Sequence, residues 1–274
     1  MDRITTFCFF ASYALALGLE LWHLLRPRPI FRLLALLAGA AGLLAQTLYL
    51  YAKQPPLAWQ YGWMLFLAWV LAIFYLCGSV HHRRQAWGVF VLPLILGLLG
   101  LGTALGPPPP GARDSWRDGT LSLDRLWAPV HVGLLLLATI GVCVAFLASV
   151  MYLIHAARLR AKAPLGRGPR LLSLERLEVM NRRAINLAFP LLTAGMLAGV
   201  VLLLRGSELV GWADPRVLGT AVLWLAFAAL LYLRYGRDLR GRPAALLTIA
   251  TFFLLLFCLV LAHPLQGSAP GGEP

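Results

Sequence analysis

The chain has 274 residues, of which 60% are hydrophobic and only 13% are charged, and its formal net charge is +13. A soluble globular domain carries about twice this share of charged residues, so an integral membrane protein is the expected class. In a soluble protein this charge would point to nucleic acid, but here the arginines lie in short segments between apolar stretches. That placement excludes a nucleic-acid partner and favours a topology signal or contact with anionic lipid.

Eight apolar stretches follow one another along the chain, and each is long enough to cross a bilayer. They predict an all-α, polytopic membrane helix bundle with eight transmembrane helices, forming a single domain over residues 1–274. The first stretch resembles a signal peptide, but its apolar run of about 20 residues is too long for one and no cleavage site follows, so we expect it to be retained. The predicted spans are 5–25, 33–51, 61–79, 87–105, 127–154, 185–204, 217–234 and 244–263.

Basic residues are divided unequally between the two sets of connecting segments. The segments that follow spans 1, 3, 5 and 7, together with Arg234 at the end of span 7, hold 17 of the 24 Lys and Arg residues, and the opposite side holds the other seven. The positive-inside rule therefore places the first set in the cytoplasm. Both termini are then predicted to lie outside.

Two connecting segments are long. Residues 106–126 form a predicted external loop that begins with a stiff proline run. Residues 156–184 form a strongly basic cytoplasmic loop, for which anionic lipid or an acidic cytoplasmic partner is the expected contact. Apolar residues recur every three positions from Leu171 to Met180. This pattern indicates either a short amphipathic helix on the inner surface or an extension of span 6.

Few residues within the spans could carry chemistry. Glu20 is the one carboxylate inside a span, near the end of the first. Gly195 and Gly199 form a GxxxG motif in span 6, which close helix packing explains without a function. The absence of a charge deep in a span disfavours a secondary transporter. We interpret the cysteines as small buried hydrophobic residues, since none forms a CxxC pair: Cys8, Cys77, Cys143 and Cys258.

The histidines separate by side under this topology. His131, at the start of span 5, and His263, at the end of span 8, share the external face. Two imidazoles that meet on one face can ligate haem iron or a transition metal, although interfacial anchoring explains the pair equally well. Trp212 and Asp214 lie on the same face, and a flat aromatic ring suits a porphyrin better than a bare ion. Anchoring or a solvated turn accounts for the other four: His23, His81, His82 and His155.

These stretches resemble the cytochrome c assembly protein family, which includes the CcsA and ResC haem-handling proteins and their HemX-like relatives. The resemblance covers nearly the whole chain and is strongest over NRRAINLAFPLLTAGMLAGVVLL at 181–203. The third and fourth spans also match, with WMLFLAWVLAIFYL at 63–76 and AWGVFVLPLILGLLG at 86–100. WAPVHVGL at 127–134 is similar to the start of the family helix that opens with an external haem histidine, and LAHPLQG at 261–267 to the end of the helix that closes with the second. The resemblance thus implies that His131 and His263 hold haem iron.

The segment between spans 6 and 7 departs from the tryptophan-rich pattern of the family. In GWADPRVLGTAVLW, Ala213 and Gly219 stand where the family has tryptophan, and Trp212 is one place off. Tyr232 replaces the intramembrane histidine expected near the inner end of span 7, and KQPPLAWQYG before span 3 lacks a histidine. These departures favour the HemX-like branch. Four positions still line up with the family: Asp214, Pro215, Arg216 and Trp224.

The resemblance implies a protein of the bacterial cytoplasmic (inner) membrane that acts in cytochrome c assembly or haem homeostasis. Haem b would be held non-covalently at the external face, with Trp212 and Asp214 shaping the pocket and Arg216 or Arg125 pairing a propionate. The expected role is delivery or regulation of haem rather than catalytic turnover. The implied partners are haem, apocytochrome c and other cytochrome c assembly proteins. The alternative is a HemX-like scaffold or regulator of haem biosynthesis that binds no haem, and a visible absorption spectrum distinguishes the two.

Overall fold

The computed structural model describes residues 2–26, 28–53, 55, 60–81, 87–106, 123–162, 172–204 and 215–261. Throughout these ranges the regular structure is α-helical, and no strand is present. The helices in chain order are α1 (Asp2–Leu25), α2 (Pro29–Lys53), α3 (Gln60–His81), α4 (Gly88–Leu105), α5 (Leu123–Arg160), α6 (Leu174–Leu204), α7 (Pro215–Gly236) and α8 (Arg242–Leu261).

The eight predicted spans are confirmed, because each corresponds to one helix that is long and apolar enough to cross a membrane. The chain is therefore an all-α, multi-pass membrane protein. We call the end of the bundle at which α1, α3, α5 and α7 finish the basic end, since most of the basic residues lie at that end. The predicted loop 106–126 falls mostly outside the described residues, from 107 to 122.

The fifth and sixth helices extend well beyond their apolar cores at the basic end. α5 continues to Arg160, and α6 begins at Leu174, 11 residues before its predicted span. Of the two possibilities for the apolar repeat ending at Met180, extension of span 6 is therefore the correct one. Leu177 is fully buried on this extension, which explains why the helix persists among charged residues.

The helices form two rings of four. In the first, α1 packs against α2 and α4, and α3 closes the ring between them. In the second, α5, α6, α7 and α8 contact one another in the same order. The rings meet mainly where α5 lies against α3 and α4. Each ring therefore has its own interior.

Buried hydrogen bonds and aromatic stacking hold the interiors together. The Tyr13 hydroxyl on α1 donates to Oε1 of Gln46 on α2 at 2.7 Å, and Nε2 of Gln46 donates to the Leu65 carbonyl on α3 at 3.0 Å. In the second ring Phe146 of α5 stacks on Phe252 of α8, with ring centroids 4.0 Å apart. Apolar faces with large exposed side chains point outward, as expected where lipid tails are the solvent.

The interpretation of all four cysteines as buried is wrong for two of them. Cys8 and Cys77 are exposed on the outer faces of α1 and α3, whereas Cys143 is buried and Cys258 is intermediate. In a membrane helix an apolar environment does not require burial in protein, because lipid provides one. All four are free thiols.

Candidate functional site

The imidazole of His131 lies in a cradle that the small residues of α6 create. α5 and α6 pack antiparallel, so that His131, near the start of α5, lies beside the last turns of α6. A Cβ atom added at Gly199 would lie 2.8 Å from Cε1 and 3.0 Å from Nδ1 of the imidazole. Only glycine leaves room for the ring in this position. The His131 residue is neither fully buried nor fully exposed.

A single hydrogen bond selects the tautomer of the neutral His131 imidazole. Its Nδ1 atom lies 2.6 Å from the carbonyl oxygen of Gly195. A carbonyl oxygen can only accept a hydrogen bond, so Nδ1 carries the hydrogen. In the neutral imidazole Nε2 is then unprotonated, and its lone pair is available to a metal ion. A hydrogen bond from the other ring nitrogen is the usual means by which a protein orients a histidine ligand.

The GxxxG motif therefore does more than allow two helix backbones to approach. Gly195 lies against Leu135, since a Cβ atom there would be 2.8 Å from Leu135 Cδ2. Gly199, one turn on, faces the His131 ring instead. Close packing was the correct expectation for the motif. The partner it packs against is a candidate ligand, which the motif alone does not reveal.

The other predicted site residues are not described. His263, Trp212 and Asp214 lie outside the described residues, so the distance between the two histidines is not part of this structure. Arg216 is the second residue of α7, and its side chain is also outside the described part. Of the predicted haem-binding set, His131 alone has a described environment.

Two further histidines have backbone contacts of the same type. Nδ1 of His155 lies 3.0 Å from the Leu172 carbonyl, and Nδ1 of His23 lies 3.0 Å from the Arg28 carbonyl. Both are at the basic end, far along the bundle from His131. Across the described ranges no three His, Cys, Asp or Glu residues lie close enough together to hold a metal ion.

The seventh helix turns its two aromatic residues of interest in different directions. The indole of Trp224 donates to Oγ1 of Thr193 at 2.9 Å and stacks on Phe189 of α6. Tyr232, which was predicted to replace an intramembrane histidine, is 66% exposed on the outer surface of α7. Its hydroxyl is therefore not directed into the ring interior, and it does not substitute for an internal ligand.

A buried polar group lies at the basic end of the first ring. The Glu20 carboxylate is 7% exposed, and the Tyr75 hydroxyl lies 3.3 Å from its Oε1 atom. Arg32 donates to the Ser79 carbonyl at 2.5 Å and is close enough to attract the carboxylate. A Cβ atom at Gly88, the first residue of α4, would be 2.7 Å from Oε1 of Glu20. The carboxylate thus lies at a helix N-terminus, where the positive end of the helix dipole stabilises it.

A second polar group lies at the basic end of the second ring. Arg234 is 5% exposed, and its Nη1 atom donates to Oδ1 of Asn181 at 2.5 Å. The Asn181 amide nitrogen donates to Ser149 Oγ at 2.7 Å and to the Ala145 carbonyl at 3.1 Å. Glu178 lies at the limit of ion pairing, 4.0 Å from Nη2 of Arg234.

Sequence reasoning counted Arg234 among the loop residues and missed this second group. The sequence did contain a usable signal, because extending the helical period of span 7 past Arg234 places this residue on the inward face. α7 does continue for two residues beyond Arg234, and the residue is buried. Asn181 offered a weaker one, as a polar residue at the mouth of an apolar span. Neither residue identifies its partner, because that depends on which helices are neighbours.

Comparison with known proteins identifies what the chain is similar to. The family model described as Cytochrome C assembly protein matches residues 57–266. This range takes in most of the chain, from just before α3 to just beyond α8.

Curated relatives give the same result. The chain is 27% identical over 257 aligned residues to the cytochrome c biogenesis protein CcsA of Microcystis aeruginosa, with 77% of this chain and 76% of that protein covered. It is 26% identical over 243 residues to CcsA of Thermosynechococcus vestitus, with 74% of each chain covered. CcsA of Synechococcus elongatus is 26% identical over 255 residues, with coverage of 77% and 76%. No solved structure matches.

Proposed function

Because the chain belongs to the cytochrome c assembly protein family, we propose that it acts in cytochrome c biogenesis or haem homeostasis by holding haem b, without a covalent bond, at the end of the bundle that carries His131. The proposed axial ligands of the haem iron are His131 and His263. The proposed location is the bacterial cytoplasmic membrane, with this end of the bundle outside.

The observation that carries the proposal is the orientation of His131. The bond from its Nδ1 to the Gly195 carbonyl leaves Nε2 as the nitrogen with a free lone pair, which is the form a haem iron requires. The ring is held on one side by Gly199, and the residue is neither fully buried nor fully exposed. Packing and a hydrogen bond therefore restrain the ring before any ligand arrives, which reduces the entropy lost on binding.

The proposed imidazole ligands have the donor chemistry that haem iron takes. Neutral imidazole is a common axial ligand of haem, and haem when bound supplies an iron atom that accepts two such ligands. We propose that Trp212 and Asp214 shape the pocket and that Arg216 pairs a propionate, through a charge-assisted hydrogen bond. Asp214 is also the proposed orienting partner of His263.

The proposed role is delivery or regulation of haem rather than turnover. The four cysteines lie within helices, so thiols for covalent attachment of haem would come from a client protein. The proposed partners are therefore haem, apocytochrome c and other cytochrome c assembly proteins. The alternative is a HemX-like scaffold or regulator that binds no haem. The following experiment distinguishes the two functions.

The test is the visible absorption spectrum of the purified full-length protein. We expect a Soret band and α and β bands of low-spin, bis-imidazole haem in the wild type. His131→Ala and His263→Ala should each abolish the bis-imidazole spectrum, because a single remaining imidazole gives a different coordination state.

His155→Ala is the matched control. His155 lies on the same helix, its Nδ1 contacts a backbone carbonyl in the same way, and it is 24 residues and about 36 Å further along α5. Its removal should leave the spectrum intact. Equal loss of haem in the His131 and His155 variants would contradict the proposal and indicate general destabilisation. A colourless, stable wild type, even after incubation with haem, would support the scaffold.

A further inference from the structure

A groove runs along α6 at the basic end and is separate from the His131 site. Its volume is about 630 Å³, and it is open along one side. α6 forms most of its surface, and Val144 of α5 contributes to the opposite wall. We call it the arginine groove, after Arg176 and Arg183. The other lining residues are Ser173, Glu175, Val179, Met180, Ala184 and Leu187.

The lining of the arginine groove changes from charged to apolar along its length. Arg176 and Arg183 are seven residues apart, so they lie on one face of α6 and about 10 Å apart along its axis. Both side chains are exposed, and neither has a carboxylate within ion-pair distance among the described residues. Beyond Arg183, towards the middle of the bundle, the lining becomes Ala184 and Leu187.

We propose that the arginine groove binds an anionic phospholipid. The lipid phosphate lies between the two guanidinium groups, which are good donors to phosphate oxygens. An acyl chain follows the apolar section past Val144 to Leu187, which is 62% exposed and thus available for contact. Glu175 offsets one of the two positive charges, and the remaining positive charge favours an anionic over a zwitterionic headgroup.

The position of the groove favours a lipid over an acidic protein partner. Its apolar section, at Ala184 and Leu187, lies where the predicted span 185–204 of α6 begins and no charged residue follows up to Leu204, so lipid rather than water is expected around it. The arginines lie one to three turns closer to the basic end, at the depth where lipid headgroups lie. Head and tail of a phospholipid therefore match the order of the lining. This inference does not depend on the proposed haem site.

The experiment uses native mass spectrometry on delipidated, full-length protein in a neutral detergent. The protein is titrated with phosphatidylglycerol or with phosphatidylcholine of the same acyl composition. We expect one phosphatidylglycerol molecule to bind with clear preference over phosphatidylcholine. The double variant Arg176→Gln/Arg183→Gln should weaken phosphatidylglycerol binding about tenfold and remove the preference.

Two further variants make the test specific. Arg237→Gln/Arg242→Gln removes the same charge from exposed residues at the same end of the bundle, outside the groove, and should leave the preference intact. Leu187→Trp changes no charge but obstructs the apolar section, and should weaken binding of both lipids. Equal losses in the two arginine pairs, or no preference in the wild type, would overturn the proposal. Binding of soluble polyglutamate that depends on Arg176 and Arg183, without lipid preference, would assign the groove to a protein partner.

Discussion

At the residue scale, the environment of His131 depends on two backbone positions rather than on other polar side chains. The Gly195 carbonyl accepts from Nδ1, and the missing side chain of Gly199 provides the space for the ring. Each contribution is insensitive to rotamer changes, because no side chain of α6 takes part. This explains how a histidine can be oriented in a region of the bundle that is otherwise apolar.

Replacement of Gly199 by alanine is the direct test of the cradle. The added methyl group would lie 2.8 Å from His131 Cε1, so the imidazole must move away from position 199. Overpacking of this kind costs about 2 kcal/mol of unfolding free energy, which exceeds the roughly 1 kcal/mol that alanine gains over glycine within a helix. We therefore expect Gly199→Ala to lower the midpoint of thermal unfolding in detergent, and to change the haem spectrum of protein that binds haem.

Gly133→Ala is the matched control for Gly199→Ala. A Cβ atom at Gly133, on α5, has nothing within 4 Å. Alanine favours a helix over glycine by about 1 kcal/mol, so this variant should be at least as stable as the wild type. If Gly199→Ala were also as stable as the wild type and kept its spectrum, the tight contact with His131 would be refuted.

Only the identity of the residues at this site could be predicted from the sequence, not their contacts. His131 and the GxxxG motif are both visible in the sequence, but their contact depends on the antiparallel pairing of α5 with α6. Hydropathy places each residue at a depth along its own helix and does not say which helix it faces. For the same reason the exposed positions of Cys8 and Cys77 were not predicted, nor was the partnership of Arg234 with Asn181.

At the scale of the elements, hydropathy predicted the existence and order of all eight helices but not their lengths. An apolar stretch ends where polar residues begin, whereas a helix continues as long as its backbone bonds and one packed face sustain it. α5 and α6 show the difference, since both extend past their apolar cores at the basic end and pack against each other there. His155 connects the extension of α5 to the chain just before α6, through its contact with the Leu172 carbonyl.

The hydrogen bonds between Asn181 and its neighbours are expected to hold α6 in the second ring. Asn181→Leu keeps the side-chain size but removes the acceptor at 2.5 Å from the buried Arg234 guanidinium. A buried charge that loses its partner costs about 3 kcal/mol. We expect a clearly lower midpoint in thermal unfolding of the purified protein.

Asn186→Leu provides the comparison on the same helix. Asn186 is exposed and donates to the Tyr235 hydroxyl, so it also bridges α6 and α7. Loss of an exposed hydrogen bond of this type costs no more than about 1 kcal/mol. Similar destabilisation in the two variants would mean that burial of Arg234 is not what makes Asn181 important.

At the scale of the whole molecule, the charge distribution predicts how the bundle lies in the membrane. Four of the eight helices finish at the basic end, and 17 of the 24 basic residues lie at that end, either in the connecting segments or in the helix ends beside them. The positive-inside rule assigns that end to the cytoplasm. It also assigns His131 and the C-terminus to the opposite side.

Protease accessibility of tags tests this orientation. A tag at the C-terminus should be cleaved by protease added to intact spheroplasts, because both termini are predicted to lie outside. A tag inserted between residues 163 and 171 should be protected until the membrane is broken. The reverse pattern would place His131 in the cytoplasm and would contradict haem binding at the external face.

The division into two rings has a consequence for the order of events during synthesis. Since α1 to α4 satisfy most of their contacts with one another, the first ring can assemble in the bilayer while the ribosome is still translating α5. α5, which contacts α3 and α4, is then expected to dock on this first ring, with α6 and α8 packing against α5 and α7 packing against α6 and α8. A gene divided between α4 and α5 should accordingly yield two fragments that insert separately and associate into the intact bundle, which co-purification of one fragment with a tag on the other would detect.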